Sequence, residues 1–201
     1  MKISLFQETT EQDEITIPGL DYFPCYISQT EQDALLSHID AAEWNTDLRR
    51  RVQHYGYRYD YQARHASEAD YLGPLPSWLH SLSCRLFEDG IFLHKPDQAI
   101  INEYLPGQGI AAHIDCVPCF ADTIASISLG SHCMMDFTNT ISQKKISLPL
   151  ERRSLLSLTG PARYEWMHGI AGRKSDVLND IRTPRSRRVS ITFRNIVIER
   201  R

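Results

Sequence analysis

Residues 101–116 read INEYLPGQGIAAHIDC, and the spacing of the polar side chains in this stretch points to one fold class. On an extended strand, positions i and i+2 point the same way. Asn102 and Tyr104 then share a face, and so do His113 and Asp115. On a helix each pair would diverge by most of half a turn, and an imidazole and a carboxylate two positions apart could not chelate one metal ion. The His-x-Asp pair therefore makes chemical sense only if this stretch is extended or turned. The intervening PGQG supplies a turn between two strands.

Outward from this point the texture is that of strands. DQAIINEYL, IASISLGS, CMMDF, KISLPL, SLLSLTG, YEWMHGI and RRVSITFRNIVI follow Gly90, separated by turn residues such as TGPA. Before Gly90 the period changes. TEQDALLSHIDAAEW reads as a helix capped by Thr30 with Asp33 in its first turn, burying Leu35, Leu36, Ile39 and Ala42. LPSWLHSLSCRLFEDG reads as a second helix with Leu79, Leu82 and Leu86 inward, ended by Gly90. EITIPGLDYFPCYIS gives a short strand, a Pro-Gly turn and a further extended piece. The expected fold is mainly β with flanking helices (α+β): a sandwich or barrel with N-terminal helices packed on one face.

Bulk composition sets limits. The chain has 201 residues, 42% hydrophobic and 23% charged, enough for one sizeable core, and residues 1–201 are expected to form a single domain. No apolar run reaches the length of a membrane span and no secretory signal is evident, so a cytoplasmic monomer without membrane attachment is expected. Cys25, Cys84, Cys116, Cys119 and Cys133 are odd in number and irregularly spaced, which argues against a disulfide framework and for a reducing compartment. CVPC is a lone CxxC directly behind Asp115, a poor zinc site, and its cysteines read as loop residues. The net charge of −3 divides into +6 over residues 173–201 and −9 before them. A basic terminal segment can hold an anion or nucleic acid, although such charge is more often a solvated surface.

A metal site needs a third ligand, and His168 in YEWMHGI is the best candidate. Two imidazoles and one carboxylate on one side of an ion leave the other positions open, which suits non-haem Fe(II) better than a closed structural zinc. Along RRVSITFR, Arg188, Ser190, Thr192 and Arg194 fall on one face, with Val189, Ile191 and Phe193 on the other. A polar face on a core strand is costly unless it lines a site, and two arginines there imply a bound dianion. A dicarboxylate that chelates iron at one end and meets arginine at the other, such as 2-oxoglutarate, uses both clusters. Each piece alone is weak; their conjunction and order along the chain carry the reading.

These motifs, INEYLPGQGIAAHID…ISLGS…MDF…RRSLLSLTGPARYEWMHGI…RRVSITFR, resemble the AlkB family of Fe(II)/2-oxoglutarate dioxygenases over about residues 52–194. RVQHYGYRYDY, HKPDQAIINEYLPGQGIAAHID and RYEWMHGI are most similar to the oxygenase domain of the tRNA wobble-uridine hydroxylases. The resemblance implies a double-stranded β-helix, or jelly roll, with outer helices. It implies that His113, Asp115 and His168 bind Fe(II), and that Asn102, Tyr104, Ser190, Arg188 and Arg194 hold the co-substrate 2-oxoglutarate, with O2 as the oxidant. Arg188 and Tyr104 would stand near the distal carboxylate and Arg194 near the metal-bound end. Two departures stand out: Ser190 occupies a position that is Asn in many bacterial DNA-repair members, and neither an RNA-recognition signature before residue 50 nor a Gly-rich nucleotide loop after residue 194 is evident.

The expected activity is oxidative dealkylation of N-methylated bases, a demethylase reaction of DNA or RNA repair that releases formaldehyde, succinate and CO2. The alternatives are hydroxylation of a modified tRNA wobble uridine and oxidation of a protein side chain. The expected partner is alkylated DNA or RNA, including tRNA. LRRRVQHYGYRYDYQARH places Tyr55, Tyr57, Tyr59 and Tyr61 on one strand face beside Arg49, Arg50, Arg51 and Arg58. Aromatics stack on extruded bases and arginines neutralise phosphate, so residues 45–75 are a candidate nucleotide-recognition lid. An alternating aromatic strand is as often a sheet face packed on a core.

Overall fold

A computed structural model describes residues 17–47, 49–60, 67–178 and 180–198. The elements run β1 (Leu20–Phe23), α1 (Gln29–Ala41), β2 (Val52–Tyr55), α2 (Ser77–Glu88), β3 (Gln98–Tyr104), β4 (Ile110–His113), β5 (Ile124–Gly130) and β6 (Cys133–Asn139). Then follow β7 (Lys145–Leu150), β8 (Leu155–Leu158), α3 (Gly160–Tyr164), β9 (Trp166–Ile170), β10 (Ser175–Leu178), β11 (Ile181–Pro184) and β12 (Arg188–Arg194). They form a six-stranded sheet ordered β1-β8-β5-β12-β3-β2, a four-stranded sheet ordered β4-β9-β6-β7, and the separate hairpin β10-β11. The strand pairs are antiparallel.

Strand β12 sits inside the larger sheet, between β5 and β3. Its apolar face, Val189, Ile191 and Phe193, packs in one cluster with Leu35 and Ile39 of α1, Leu79, Leu82 and Leu86 of α2, and Ile101 and Ile127 of the neighbouring strands. Each such side chain, fully removed from water, contributes about 1.5–3 kcal/mol. A second cluster fills the space between the sheets, where Ile124, Leu156 and Leu158 meet Met135, Phe137 and Ile170. The helices thus cover one face of the large sheet, as the sequence predicts, and its other face turns toward the small sheet.

Local chemistry explains where the boundaries depart from expectation. Helix α1 starts at Ser28 rather than Thr30, because Ser28 and Glu31 form a capping box: the Glu31 N–H donates to Ser28 Oγ at 3.1 Å and the Ser28 N–H to Glu31 Oε2 at 2.9 Å. Buried Gln32 takes a place in the stripe that the sequence gives to apolar residues, accepting the Gly130 N–H at 3.0 Å, while Leu36 is half-buried. TGPA, expected as a turn, opens the short helix α3 with Pro161 in its first turn. The hairpin β10-β11 has too short an alternation to be read. Strand EITI lies outside the described residues except for Ile17.

The tyrosine-rich segment is corrected most. Strand β2 ends at Tyr55, and Gly56 adopts φ +77° with its α-carbon so close to β3 that a Cβ would lie 1.9 Å from the Asp97 carbonyl oxygen. The chain turns there, and Tyr55, Tyr57 and Tyr59 do not share one face. Cys116 and Cys119 lie in a loop, as the sequence reading has them, but are joined there in a disulfide immediately after Asp115, while Cys25, Cys84 and Cys133 are free. Among the described residues no helix is long and apolar enough to cross a membrane.

Candidate active site

His113 ends β4, and His168 lies opposite it as its partner in the β4-β9 ladder. Their rings lie 4.6 Å apart between centroids. Glycine makes this pairing possible: a Cβ on Gly109 would lie 2.1 Å from the Ile170 carbonyl oxygen, and one on Gly169 would meet Ala112 Cα at 2.9 Å. The His113 Nδ1 lies 2.8 Å from the Ala111 carbonyl oxygen, which can only accept. Nδ1 is therefore the donor in this contact, which leaves Nε2 as the nitrogen that can face a metal.

Asp115 stands just past β4. Its Oδ1 accepts from Arg194 Nη2 at 3.0 Å, and its Oδ2 lies 3.9 Å from His168 Nε2. Both Asp115 Oδ2 and His168 Nδ1 are buried without a hydrogen-bond partner. Burial alone would raise the Asp115 pKa, but the charges of Arg194, then the histidines and Arg163, hold it well below the usual carboxylate range. Burial pushes His168 down to about 4. The group thus sets a neutral His168 imidazole and an ionised carboxylate beside the His113 ring, a donor set that fits Fe(II), and a partnerless buried carboxylate oxygen is what a cation would relieve. Among the described residues no three His, Cys, Asp or Glu side chains are closed to the spacing of a formed metal cage. The donors face one space without being drawn together on it.

That space is a cavity of about 620 Å³ between the sheets, and the polar face of β12 (Arg188, Ser190, Thr192 and Arg194) forms part of its wall. The register sets Arg188 opposite Tyr104, Ser190 opposite Asn102 and Arg194 opposite Gln98. Arg188 donates from Nη2 to Ser128 Oγ at 2.8 Å, with its Cζ 5.4 Å from the Tyr104 ring centroid. Arg194 lies over Phe120 at 4.7 Å. Arg188 Nε and Arg194 Nε are buried and unpartnered. Arg194 already meets Asp115, whereas Arg188 has no carboxylate partner among the described residues, and a guanidinium buried in a dry wall is expensive unless an anion meets it, so this face could hold an anionic ligand such as a dicarboxylate. Burial raises the Tyr104 pKa, keeping its hydroxyl protonated and able to donate.

The residues singled out for substrate divide. Tyr59 lines the cavity, packed on Phe120 at 5.2 Å between centroids. Tyr55 packs edge-on against Trp78 and donates from its hydroxyl to Gln53 Oε1 at 3.1 Å, on the helix side of the large sheet. Tyr57 pairs with Tyr71, 5.0 Å between centroids, and Tyr61 lies outside the described residues. Arg51 turns away from the cavity, its Nε 2.6 Å from Glu103 and its guanidinium 4.7 Å over Trp44. Its carbonyl accepts the Glu103 N–H, and its side chain follows that residue's face. Neighbouring Arg50 reaches the cavity instead, donating from Nε to Asn102 Oδ1 at 2.9 Å. Arg49 and Arg50 also border an open groove of about 720 Å³ beside β4 and β9.

One residue that sequence reasoning missed is Arg163, buried in α3, whose guanidinium donates to the carbonyls of Asp115 (2.9 Å), Cys116 (3.2 Å) and Phe120 (3.4 Å). Nothing in GPARYEW distinguishes it from an exposed basic residue.

The sequence profile of the 2OG-Fe(II) oxygenase superfamily matches residues 19–194. Among similar proteins, the macaque "tRNA (carboxymethyluridine(34)-5-O)-methyltransferase ALKBH8" is 41% identical over 170 residues, covering 80% of this chain and 25% of that protein. The zebrafish "Probable RNA/DNA demethylase ALKBH6" is 30% identical over 208 residues, covering 89% of this chain and 86% of that protein. The chain spans 25% to 60% of the length of the ALKBH8-type relatives it matches. Among solved structures, OsALKBH1 superposes with a TM-score of 0.69 at 16% identity, covering 89% of this chain and 97% of that one, a likeness of fold.

Proposed function

Because this chain belongs to the 2OG-Fe(II) oxygenase superfamily, we propose that it oxidatively dealkylates N-methylated bases in DNA or RNA. That superfamily uses ferrous iron as its cofactor and consumes 2-oxoglutarate and O2. In this reading His113, Asp115 and His168 hold the iron, and Asn102, Tyr104, Arg188, Ser190 and Arg194 hold 2-oxoglutarate. The observation that carries it is a single cavity lined by both sets of side chains.

Iron and 2-oxoglutarate together supply the oxidation: one atom of O2 ends in succinate as CO2 leaves, the other hydroxylates the N-methyl carbon, and the N-hydroxymethyl product releases formaldehyde to restore the base. The protein holds, orients and excludes. Arg194 keeps Asp115 ionised and fixed through its 3.0 Å contact. Arg188, steadied by Ser128 and the Tyr104 ring, presents its fork to the distal carboxylate. Met135, Leu156, Leu158 and Ile170 keep the wall dry, which strengthens both contacts. Tyr59 offers an aromatic face to an extruded base, and Arg50, shared by cavity and groove, lies where a backbone phosphate would pass. The segment 45–75, of which residues 48 and 61–66 lie outside the described residues, is the substrate lid in this reading.

A second reading, hydroxylation of a modified tRNA uridine, is favoured by the 41% identity to the macaque tRNA-modifying protein. The experiment is incubation with Fe(II), 2-oxoglutarate and either methylated single-stranded oligonucleotides, bulk tRNA or histone peptides. Formaldehyde from the oligonucleotides supports dealkylation. A gain of one oxygen on tRNA without formaldehyde selects the second reading, and oxygen on the peptides alone overturns both.

A further inference from the structure

Among the described residues Arg163 is one of the largest side chains with almost no exposed surface, yet it forms no ion pair with a carboxylate there. Its two Nη atoms reach three backbone carbonyls of one loop, those of Asp115, Cys116 and Phe120, and its Nε is buried without a partner. A guanidinium removed from water and set on neutral acceptors is a poor way to gain stability. What it does achieve is geometric. The loop it grips starts at Asp115, is closed within itself by the Cys116–Cys119 disulfide, and is held again at its far side by the Tyr164 hydroxyl donating to Asp122. Arg163 belongs to α3, which runs into β9, and His168 lies on that strand.

We propose that Arg163 is a positioning residue: it fixes the Asp115 carboxylate relative to His168 by tying the loop that carries one donor to the helix that precedes the other. The inference rests on the proposed ligand set. The planar fork suits the task, since it meets several carbonyls from one rigid group where a lysine ammonium is a point charge on a flexible stem. Its influence on the ion is that of an outer partner, which changes how well a site is shaped while contributing no ligand atom.

The test uses the full chain and Co(II) alone as the probe, titrated calorimetrically and by visible absorption, with thermal unfolding recorded in parallel. R163M should weaken Co(II) binding by about 10- to 100-fold, and R163K, which keeps the charge but loses the fork, should recover only part of that loss. L79A, a core truncation among the helix-side residues, lowers the unfolding temperature through packing and should leave Co(II) affinity within about twofold of the parent, reading out nonspecific softening. Should R163M fail to fold, R163K against L79A decides alone. Affinity of R163K and R163M within twofold of the parent overturns the inference, as does an equal loss in L79A. If the unaltered chain itself fails to bind Co(II), it is the ligand set that falls; if it binds and the Arg163 variants bind equally, only this inference falls.

Discussion

Replacing Arg188 by methionine separates a co-substrate anchor from a structural arginine. The side chain is buried, its Nε has no partner, and its polar contact is the 2.8 Å bond to Ser128 Oγ. If it receives the distal carboxylate of 2-oxoglutarate, R188M leaves that carboxylate in a dry wall without its charge partner. Breaking a buried pair from one side costs about 3–5 kcal/mol, or two to three and a half orders of magnitude in Kd. The ligand-free protein should behave oppositely, because methionine fills much of the same volume and removes an uncompensated buried charge. Its melting temperature should stay level or rise. The assay is 2-oxoglutarate titration by calorimetry with Mn(II) in place of Fe(II), plus thermal shift with and without ligand. At about 1,000 times the parent's Kd the ligand stabilises the parent by about 4 kcal/mol, and the same concentration should give R188M under about 1.5 kcal/mol. An R188M affinity within threefold of the parent refutes the assignment. A large fall in ligand-free stability shows instead that Arg188 is chiefly a structural residue.

Other outcomes follow from the same geometry. Gly109→Ala places a Cβ 2.1 Å from the Ile170 carbonyl oxygen; it should cost about 1–3 kcal/mol in urea unfolding and lower Mn(II) affinity by shifting His113 against His168, and an unaffected variant would contradict the close pairing of β4 and β9. Asp176→Asn strands Arg185, whose Nε and Nη2 lie 2.6 and 2.7 Å from the two carboxylate oxygens in a buried pair; denaturation should show a loss of about 3–5 kcal/mol, and a loss under 1 kcal/mol would mean the pair is freely hydrated. Burial tends to raise the pKa of Glu103, but its bonds to Arg51 and Arg187 outweigh that and lower it from 4.5. Its contribution, about 1–2 kcal/mol because both partners are partly exposed, is therefore complete above pH 4.5 and fades as pH falls through the lowered value. Urea midpoints between pH 7 and 3 should fall less steeply below pH 4.5 for Glu103→Gln than for the parent, and parallel curves would exclude this source.

What could be read from sequence was what repeats with a simple period or follows directly from it. The two faces of β12, the facing pair Asn102 and Tyr104, and the leucines of α2 all follow from periods of 2 or 3.6, and the structure keeps them because burial enforces the period. The tyrosine segment failed for a local reason, since a left-handed glycine at 56 breaks the alternation that Tyr55 begins. Arg50 and Arg51 are indistinguishable in composition, and the pairing of Glu103 with the Arg51 carbonyl decides which of them turns inward. Arg163 was illegible because its partners are backbone carbonyls some 45 positions away, which leave no mark in residue identity. The capping box at Ser28 has a sequence signature, the Ser28-x-x-Glu31 spacing, which competes with Thr30 two positions on.

Alternation along β12 also restricts how the protein can vary. A one-residue insertion or deletion within Arg188–Arg194 would exchange the two sides of the strand beyond it, driving guanidinium groups among the helices and bulky hydrocarbon into the chamber. No graded series of shifts connects one register to the next, so this segment tolerates substitution but not slippage. New preferences for guest molecules have their freedom elsewhere, at the mouth near Arg50 and Tyr59, where side chains can change size without disturbing the scaffold behind them.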